Sequence, residues 1–264
     1  MLIADYCGLI IRRLADLGSD TMLVGAWLSA IMFTFQLYFD FCGYSNMAIG
    51  LGRIFGFHFL ENFNYPYLSK SITEFWRRWH MSLGSWFRDY VYIPLGGNRV
   101  SRGRWIFNIL VVWMLTGAWH GAAWNFVLWG MLYAVLLLAE KWIPGLQKLP
   151  AVLRHGYVLL ATVLGFVLFN AESVSQAGSD IAALFGFGGL PVVTAETLYY
   201  LRSYALLFVL GFVGATPVVK LAARKISETK AGPVLELLTL VVLLLVCTGY
   251  LVDGSFSPFL YFRF

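Results

Sequence analysis

Charged residues are scarce in this chain of 264 residues. Only 12% are Asp, Glu, Lys or Arg, against about 25% in soluble domains. With 59% hydrophobic residues, this composition excludes a water-soluble globule, and it excludes a disordered chain, which needs low hydrophobicity and high charge. A mean hydropathy of +0.73 predicts an integral membrane protein. Aromatic residues make up 17% of the chain, which suits anchoring at two lipid–water interfaces.

Motifs of several common sites are also missing. Cys7, Cys42 and Cys247 stand far apart, without CxxC or Cys/His spacing, so neither a disulfide framework nor a metal site is predicted. No serine sits in a GxSxG elbow, and GLGRIFG at 50–56 lacks the GxGxxG register of a phosphate loop. The net charge of +5 does not predict nucleic-acid binding, because its distribution matters more than its sum in a membrane protein.

Long apolar stretches predict an all-α, polytopic bundle of about six or seven transmembrane helices. A bilayer span needs about 20 mostly apolar residues. The seventh and weakest stretch contains four glycines, Asn46 and Arg53. Pro217 is expected to end or kink the helix in which it lies. The stretches lie near 22–39, 41–57, 105–118, 119–139, 156–170, 203–219 and 234–252.

The distribution of basic residues predicts an orientation. If all seven stretches cross, the loops 1–21, 53–104, 140–155 and 220–233 lie on one side and contain every lysine and arginine except Arg202 and Arg263. The positive-inside rule makes that side cytoplasmic. We therefore predict a membrane protein whose N-terminus is cytoplasmic. The first 19 residues have near-helical apolar spacing and predict an amphipathic segment on the membrane face, with Arg12 and Arg13 at the headgroups.

Two histidines stand out as chemical candidates. His120 lies in LTGAWHGAAWNF, where no charged residue is near in sequence. It can act as a proton acceptor in catalysis, or it can form a hydrogen bond between helices. His80 lies in the polar and aromatic segment 58–104, which predicts a helix from about Ser71 at the cytoplasmic interface. The alternative is the mouth of a pocket where Arg77, Arg78 and Arg88 attract a phosphate-bearing donor.

Other polar residues are weaker candidates. Asp40 follows an apolar span; it can face water, or it can form a hydrogen bond within the bundle near Tyr44, Ser45 and Asn46. We count Asp40, Asn125 and the three arginines as candidate substrate- or donor-binding residues. His58 and His155 stand at predicted membrane edges and are interpreted as interfacial.

Three stretches and the tail resemble the membrane-bound O-acyltransferases, in particular the alginate O-acetyltransferase branch. The resemblance covers most of 1–140 and the C-terminus. It is found in QLYFDFCGYSNMAIGLGRIFGF at 36–57, NFNYPYLSKSITEFWRRWHMSLGSWFRDYVYIPLGGNR at 62–99, LTGAWHGAAWNFVLWG at 115–130 and SPFLYFRF at the end.

This resemblance implies a function and two catalytic residues. By motif, His80 and His120 match the two histidines associated with acyl transfer, and His120 matches the catalytic one. The implied reaction moves an acetyl group from a cytoplasmic thioester, with acetyl-CoA as the donor and no bound cofactor, to an extracytoplasmic polysaccharide hydroxyl. A partner of the SGNH-hydrolase type and a location in a bacterial plasma membrane are implied as well. His120 would act as general base, and a transient acyl-histidine stays open.

The resemblance also implies a longer protein, and it leaves alternatives open. Family members are roughly twice as long, so we expect residues 1–264 to be the C-terminal portion of a single O-acyltransferase domain whose N-terminal half is missing. One alternative is D-alanyl transfer to teichoic acid from a carrier protein. The other is a noncatalytic membrane export or assembly component, although neither repeat symmetry nor midplane charges are found.

Overall fold

In the computed structural model, which describes residues 2–16, 23–187 and 191–253, the described chain is helical and contains no strand. The predicted closing motif and Arg263 lie outside these residues. A 3₁₀ turn at Pro66–Leu68 and a π-helical turn at Arg88–Tyr92 accompany the α-helices. These are α1 (Leu2–Ala15), α2 (Leu23–Ile54), α3 (Ile72–Trp76), α4 (Met81–Phe87), α5 (Arg102–His120), α6 (Trp124–Trp142), α7 (Pro144–Lys148), α8 (Ala151–Asn170), α9 (Val174–Leu184), α10 (Ala195–Ser203), α11 (Ala205–Gly214), α12 (Val218–Ser227) and α13 (Gly232–Asp253).

Helices α1 and α2 pack side by side in opposite directions. Gly8 of α1 lies against the side chain of Gln36, while Leu14 lies near Ala30 and Phe33. Cys7, Ile10 and Leu14 are buried in the core. The apolar spacing of the first residues is therefore explained by packing against α2, which differs from the predicted segment lying on the membrane face.

Helix α2 is continuous over 32 residues, which corresponds to about 48 Å at 1.5 Å per residue. Stretches 22–39 and 41–57, which we predicted as two crossings, thus form one helix that does not turn back. Gly43 and Gly50 within it have no neighbouring atoms that a side chain would meet, and neither breaks the helix. The predicted grouping of basic residues on one side changes as well. Arg12 and Arg13 lie beside the first half of α2, away from Ile54 and the loop that follows it.

The prediction of six or seven spans is not confirmed. Three helices in the described residues are long and apolar enough to cross a membrane, namely Leu23–Ile54, Ala151–Asn170 and the Gly232–Val252 part of α13. A fourth candidate is the pair α10 and α11, which is bent by 56°. Helices α5 and α6 correspond to the predicted stretches 105–118 and 119–139 and form an antiparallel hairpin with a break at 121–123.

The segment 57–101 differs from the single interfacial helix that its sequence predicts. It folds as α3, a turn, α4 and the π-helical turn. Its aromatic side faces the interior of the bundle, since Phe75 and Trp79 are buried and pack on Tyr67 and Phe166. This segment therefore supplies much of the aromatic core.

Long-range contacts define two ends of the bundle. At one end, Glu140 of α6 binds the start of α3, and His155 of α8 contacts the carbonyl oxygen of Ser69 at 3.1 Å. We call this end, formed by residues 54–104 and 140–155, the basic end. At the other end, Asn125 of α6 donates to the carbonyl oxygen of Ala171 at 2.8 Å. We call this second end, at 121–125 and 169–173, the opposite end.

Candidate active site

His80 occupies a sharp turn between α3 and α4. Its φ is +45° and its ψ is 53°, a left-handed conformation that is unusual for a residue other than glycine. The adjoining chain is held by two backbone hydrogen bonds, from Asn64 N to Arg78 O at 2.9 Å and from Met81 N to Asn62 O at 3.0 Å. The segment 62–64 thus fixes the turn that presents the imidazole.

The hydrogen bonds of His80 define its tautomer. Nδ1 lies 3.3 Å from Oδ1 of Asn62, an oxygen that can only accept. That oxygen also accepts from the amide and hydroxyl of Ser82, while Nδ2 of Asn62 donates to Ser45 Oγ at 3.0 Å. Nδ1 of His80 therefore carries the proton, and Nε2, which is buried without a hydrogen-bond partner among the described residues, has a free lone pair. Burial and the nearby His120 lower the pKa of His80 to about 3, so the ring is neutral near pH 7.

His120 is the last residue of α5 and is surrounded by aromatic rings. Its ring centroid lies 5.2 Å from that of Trp129 and 5.0 Å from that of Phe169, both edge-to-face. Gly117 packs against the carbonyl group of Phe126, and Gly130 packs against that of Trp113. These two glycines let α5 and α6 approach closely, which places His120 beside the first turns of α6.

Both imidazoles line one small cavity of about 30 Å³, and His80 also borders a larger cleft of about 880 Å³ at the basic end. The cleft and the cavity share Trp76, Trp79, His80, Leu83 and Thr116. The other residues lining the small cavity are Leu37, Phe41, His120, Trp129, Phe166 and Phe169. The cleft and the small cavity therefore adjoin at His80, and His120 borders the small cavity.

The three candidate arginines differ in their surroundings. Arg77 and Arg88 line the cleft. The side chain of Arg88 is exposed and pairs with Asp89 at 2.7 Å, and this hydrogen bond lowers the pKa of Asp89. Arg78 pairs with Glu74 at 2.8 Å and is not among the residues lining the cleft. Two of the three predicted arginines thus border the space where a phosphate-bearing donor would lie.

A family model for membrane-bound O-acyltransferases matches residues 18–171. This range contains His80, His120 and every residue that lines the small cavity. The chain belongs to the membrane-bound O-acyltransferase family. The resemblance predicted from the sequence is therefore confirmed, as is the prediction of a helical, polytopic membrane protein.

Curated relatives of this O-acyltransferase family member differ in the acceptor named for them. The chain is 37% identical to a probable alginate O-acetylase AlgI of Azotobacter vinelandii, over 99% of this chain and 58% of that protein. It is 36% identical to a peptidoglycan O-acetyltransferase of Helicobacter pylori, over 67% of this chain and 35% of that one. A teichoic acid D-alanyltransferase of Bacillus subtilis is 37% identical over 57% of this chain and 42% of the relative. The chain thus spans about half, or less, of the length of these relatives.

Two further predicted residues of this O-acyltransferase chain lie outside both cavities. Asp40 is buried on α2, where its carboxyl group interacts electrostatically with that of Asp5 on α1. Asn125 is buried at the start of α6 and donates to the carbonyl oxygens of Phe169 and Ala171. Neither residue lines the cleft or the small cavity. Asp40 thus lies where α1 packs against α2, and Asn125 joins α6 to the end of α8 at the opposite end.

The sequence did not identify Asn62 and Ser82 as part of the site. Both are within hydrogen-bonding distance of Nδ1 of His80. Asn62 is 18 residues from His80 in sequence, and no spacing rule predicts their contact. No three His, Cys, Asp or Glu side chains lie close enough to hold a metal ion within residues 2–16, 23–187 and 191–253.

Proposed function

We propose that this protein is a membrane O-acyltransferase that moves an acetyl group from acetyl-CoA at the basic end to the hydroxyl of an extracytoplasmic polysaccharide at the opposite end. The observation that carries this proposal is that both imidazoles line the small cavity, which adjoins the cleft. In this proposal the described helices form one O-acyltransferase domain in a bacterial plasma membrane. A partner of the SGNH-hydrolase type would receive or complete the transfer outside.

The reaction follows from the positions of the two histidines. His120 takes the proton of the acceptor hydroxyl as its oxygen attacks the thioester carbonyl carbon. The new C–O bond forms, the C–S bond breaks, and the thiolate recovers the proton from the imidazolium. General-base catalysis of this kind contributes about 10²–10⁴-fold. His80 borders the donor side, where its fixed tautomer keeps Nε2 available as a proton acceptor. The closely packed aromatic rings leave little space for water, which competes as a nucleophile.

The donor would lie in the cleft. Arg77 and Arg88 line it, and guanidinium groups bind phosphates well. The cleft also contains Trp76, Trp79 and Tyr92, whose ring surfaces suit the less polar parts of a coenzyme. The acyl end would reach the small cavity past His80. A space of about 30 Å³ holds about one or two waters, or a group as small as an acetyl.

D-alanyl transfer is the second candidate, because one relative is named for that reaction. A D-alanyl group carries an ammonium, which needs an anionic or polar partner when it is buried. In the described part of the chain, the small cavity is lined by apolar side chains, one threonine and the two histidines, and by no carboxylate. This lining favours acetyl as the transferred group.

The experiment follows labelled acetyl from acetyl-CoA into alkali-labile polysaccharide esters, using membranes that contain the protein. We expect His120→Ala and His80→Ala each to reduce transfer by at least 100-fold. His58→Ala, which changes an exposed histidine, serves as the matched control and should leave transfer unchanged. Full transfer in His120→Ala would overturn its role as base, and transfer from a D-alanyl carrier alone would support the second candidate. No transfer from either donor would favour a noncatalytic component.

A further inference from the structure

Glu140 is a buried carboxylate in the last turn of α6, with 6% of its surface exposed. Oε1 accepts a hydrogen bond from the amide of Ile72 at 2.5 Å, and Oε2 accepts from the amide and the hydroxyl of Thr73, both at 3.1 Å. No ion pair in the described ranges includes Glu140. Its charge is thus stabilised by three donors at the start of α3.

These bonds are not required to form α3. The helix already has its own N-cap, because the hydroxyl of Ser71 accepts from the amide of Glu74. Glu140 instead takes the amides of the first two helical residues, which a single capping side chain leaves unpaired. The carboxylate therefore fixes where α3 lies against α6.

The position of α3 determines the position of His80. Trp76, Trp79 and His80 follow Ile72 within eight residues, and all three line both the cleft and the small cavity. At its other end α6 contacts His120 through Phe126 and Trp129. Helix α6 thus packs on His120 near its start and, through Glu140 near its end, holds the segment that carries His80.

We infer that Glu140 is a positioning residue that sets the placement of His80 relative to His120. The inference rests on the proposed acyl transfer for its catalytic consequence, although the contacts themselves do not depend on it. A displacement of about 1 Å in a reacting group can reduce a rate about 100-fold. Removing the carboxylate should therefore affect turnover more than donor binding.

The test compares Glu140→Gln with wild type in two measurements. The variant keeps the shape of the side chain but replaces one carboxylate oxygen by an amide NH₂. This group cannot accept the hydrogen bonds that Ile72 and Thr73 donate. The first measurement is the rate of carbethoxylation of each histidine by diethyl pyrocarbonate, quantified by mass spectrometry of the protein in membranes. We expect modification of His80 to accelerate at least fivefold, while that of His120 and exposed His58 stays unchanged. The second is transfer kinetics, in which kcat should fall about 10- to 100-fold with KM for acetyl-CoA within twofold.

Two further variants serve as controls. Glu172→Gln makes the same substitution at an exposed carboxylate and should change neither measurement. Thr73→Val removes only the hydrogen bond from the Thr73 hydroxyl to Glu140, and it should produce a smaller acceleration of carbethoxylation at His80. This variant allows the inference to be tested even if Glu140→Gln does not fold. Unchanged reactivity of His80, or an equal rise at all histidines, would overturn the inference. If wild type transfers no acetyl, the proposed function fails, while the carbethoxylation rates still decide the role of Glu140.

Discussion

At the scale of single residues, the main finding is how His80 is held. A left-handed backbone at a residue other than glycine costs about 1–3 kcal/mol, so surrounding contacts must offset it. Asn62 supplies them through its carbonyl oxygen, which accepts from Ser82 and from Nδ1 of His80. Strain at a proposed catalytic residue, maintained by tertiary hydrogen bonds, fits a role in fixing the direction of the imidazole.

Asn62→Ala should therefore impair acyl transfer without removing either histidine. The change deletes the acceptor that fixes the tautomer of His80, and the ring is then free to reorient. We expect transfer to fall at least tenfold, measured as labelled acetyl in polysaccharide esters. Asn64→Ala is the matched control, because the backbone of Asn64 contacts Arg78 but its exposed side chain has no contact with His80. Equal losses in the two variants would argue against a special role for Asn62.

The sequence predicted part of this site. His80 and His120 were predicted from motifs, and the structure brings both to one cavity, with Arg77 and Arg88 at the adjoining cleft. Asn62 and Glu140 were not predicted, because their contacts with the His80 segment arise from tertiary packing that no local spacing encodes. Asp40 and Asn125 were predicted because they are polar residues in apolar surroundings. Polar residues that join helices have the same pattern, and here both residues lie outside the cavities.

At the scale of elements, the α5–α6 hairpin depends on close contact between backbones. Gly130 lies so near the carbonyl group of Trp113 that a Cβ would overlap with it, and Gly117 is placed in the same way against Phe126. Backbone atoms cannot move aside as a flexible side chain can. Any larger residue at these positions should separate the helices and shift His120.

Gly130→Ala should lower the stability of the protein by about 1–3 kcal/mol, the usual cost of overpacking. Thermal unfolding in detergent measures this as a lower midpoint, and acyl transfer should fall with it. Gly178→Ala provides the control. Among the described residues, no atom outside the local backbone of α9 lies within 4 Å of the added Cβ, and alanine favours helix by up to about 1 kcal/mol. A midpoint for Gly130→Ala at or above that of Gly178→Ala would contradict the close packing.

The helices themselves were predicted unevenly from the sequence. Stretches near 105–118, 119–139, 156–170 and 234–252 correspond to α5, α6, α8 and α13, because long apolar runs have few alternatives to helix in a bilayer. The glycines and polar residues of 41–57 suggested a separate crossing, but glycine within a helix costs only about 1 kcal/mol and α2 continues through them. The break at His80 could not be predicted, since its causes are the tertiary contacts of Asn62 and Asn64.

At the scale of the whole molecule, most basic residues gather at the basic end. Arg53, Lys141 and Arg154 lie there through α2, α6 and α8, together with the arginines of 58–104. Helix α11 runs in the same direction as α2, since Gly211 packs on Phe35 and Gly214 on Phe39, and α12 with its lysines and arginine follows it in sequence. The loops 53–104 and 140–155, which the predicted orientation placed on one side, are thus in contact, whereas Arg12 and Arg13 lie away from them.

This arrangement predicts that residues 99 and 172 lie on opposite sides of the membrane. Arg99 is exposed at the basic end and Glu172 is exposed at the opposite end. The positive-inside rule then makes the basic end cytoplasmic. With Cys7, Cys42 and Cys247 replaced by alanine, Glu172→Cys should react with a membrane-impermeant maleimide. The reagent is added to intact cells from which the outer membrane, where there is one, has been removed. Arg99→Cys should react only after the membrane is permeabilised.

The pattern of labelling separates the two parts of this prediction. If the accessibilities are reversed, the two ends are correct but the orientation is not, and acetyl-CoA could not reach the cleft from the cytoplasm. If both cysteines react from the same side, the proposed path of the acyl group from the cleft past His80 to His120 does not cross the membrane. Transfer to an extracytoplasmic acceptor would then need another path. Labelling of Glu172→Cys alone from outside places His120 toward the acceptor and the arginine-lined cleft toward the donor, which is the polarity that the proposed reaction requires.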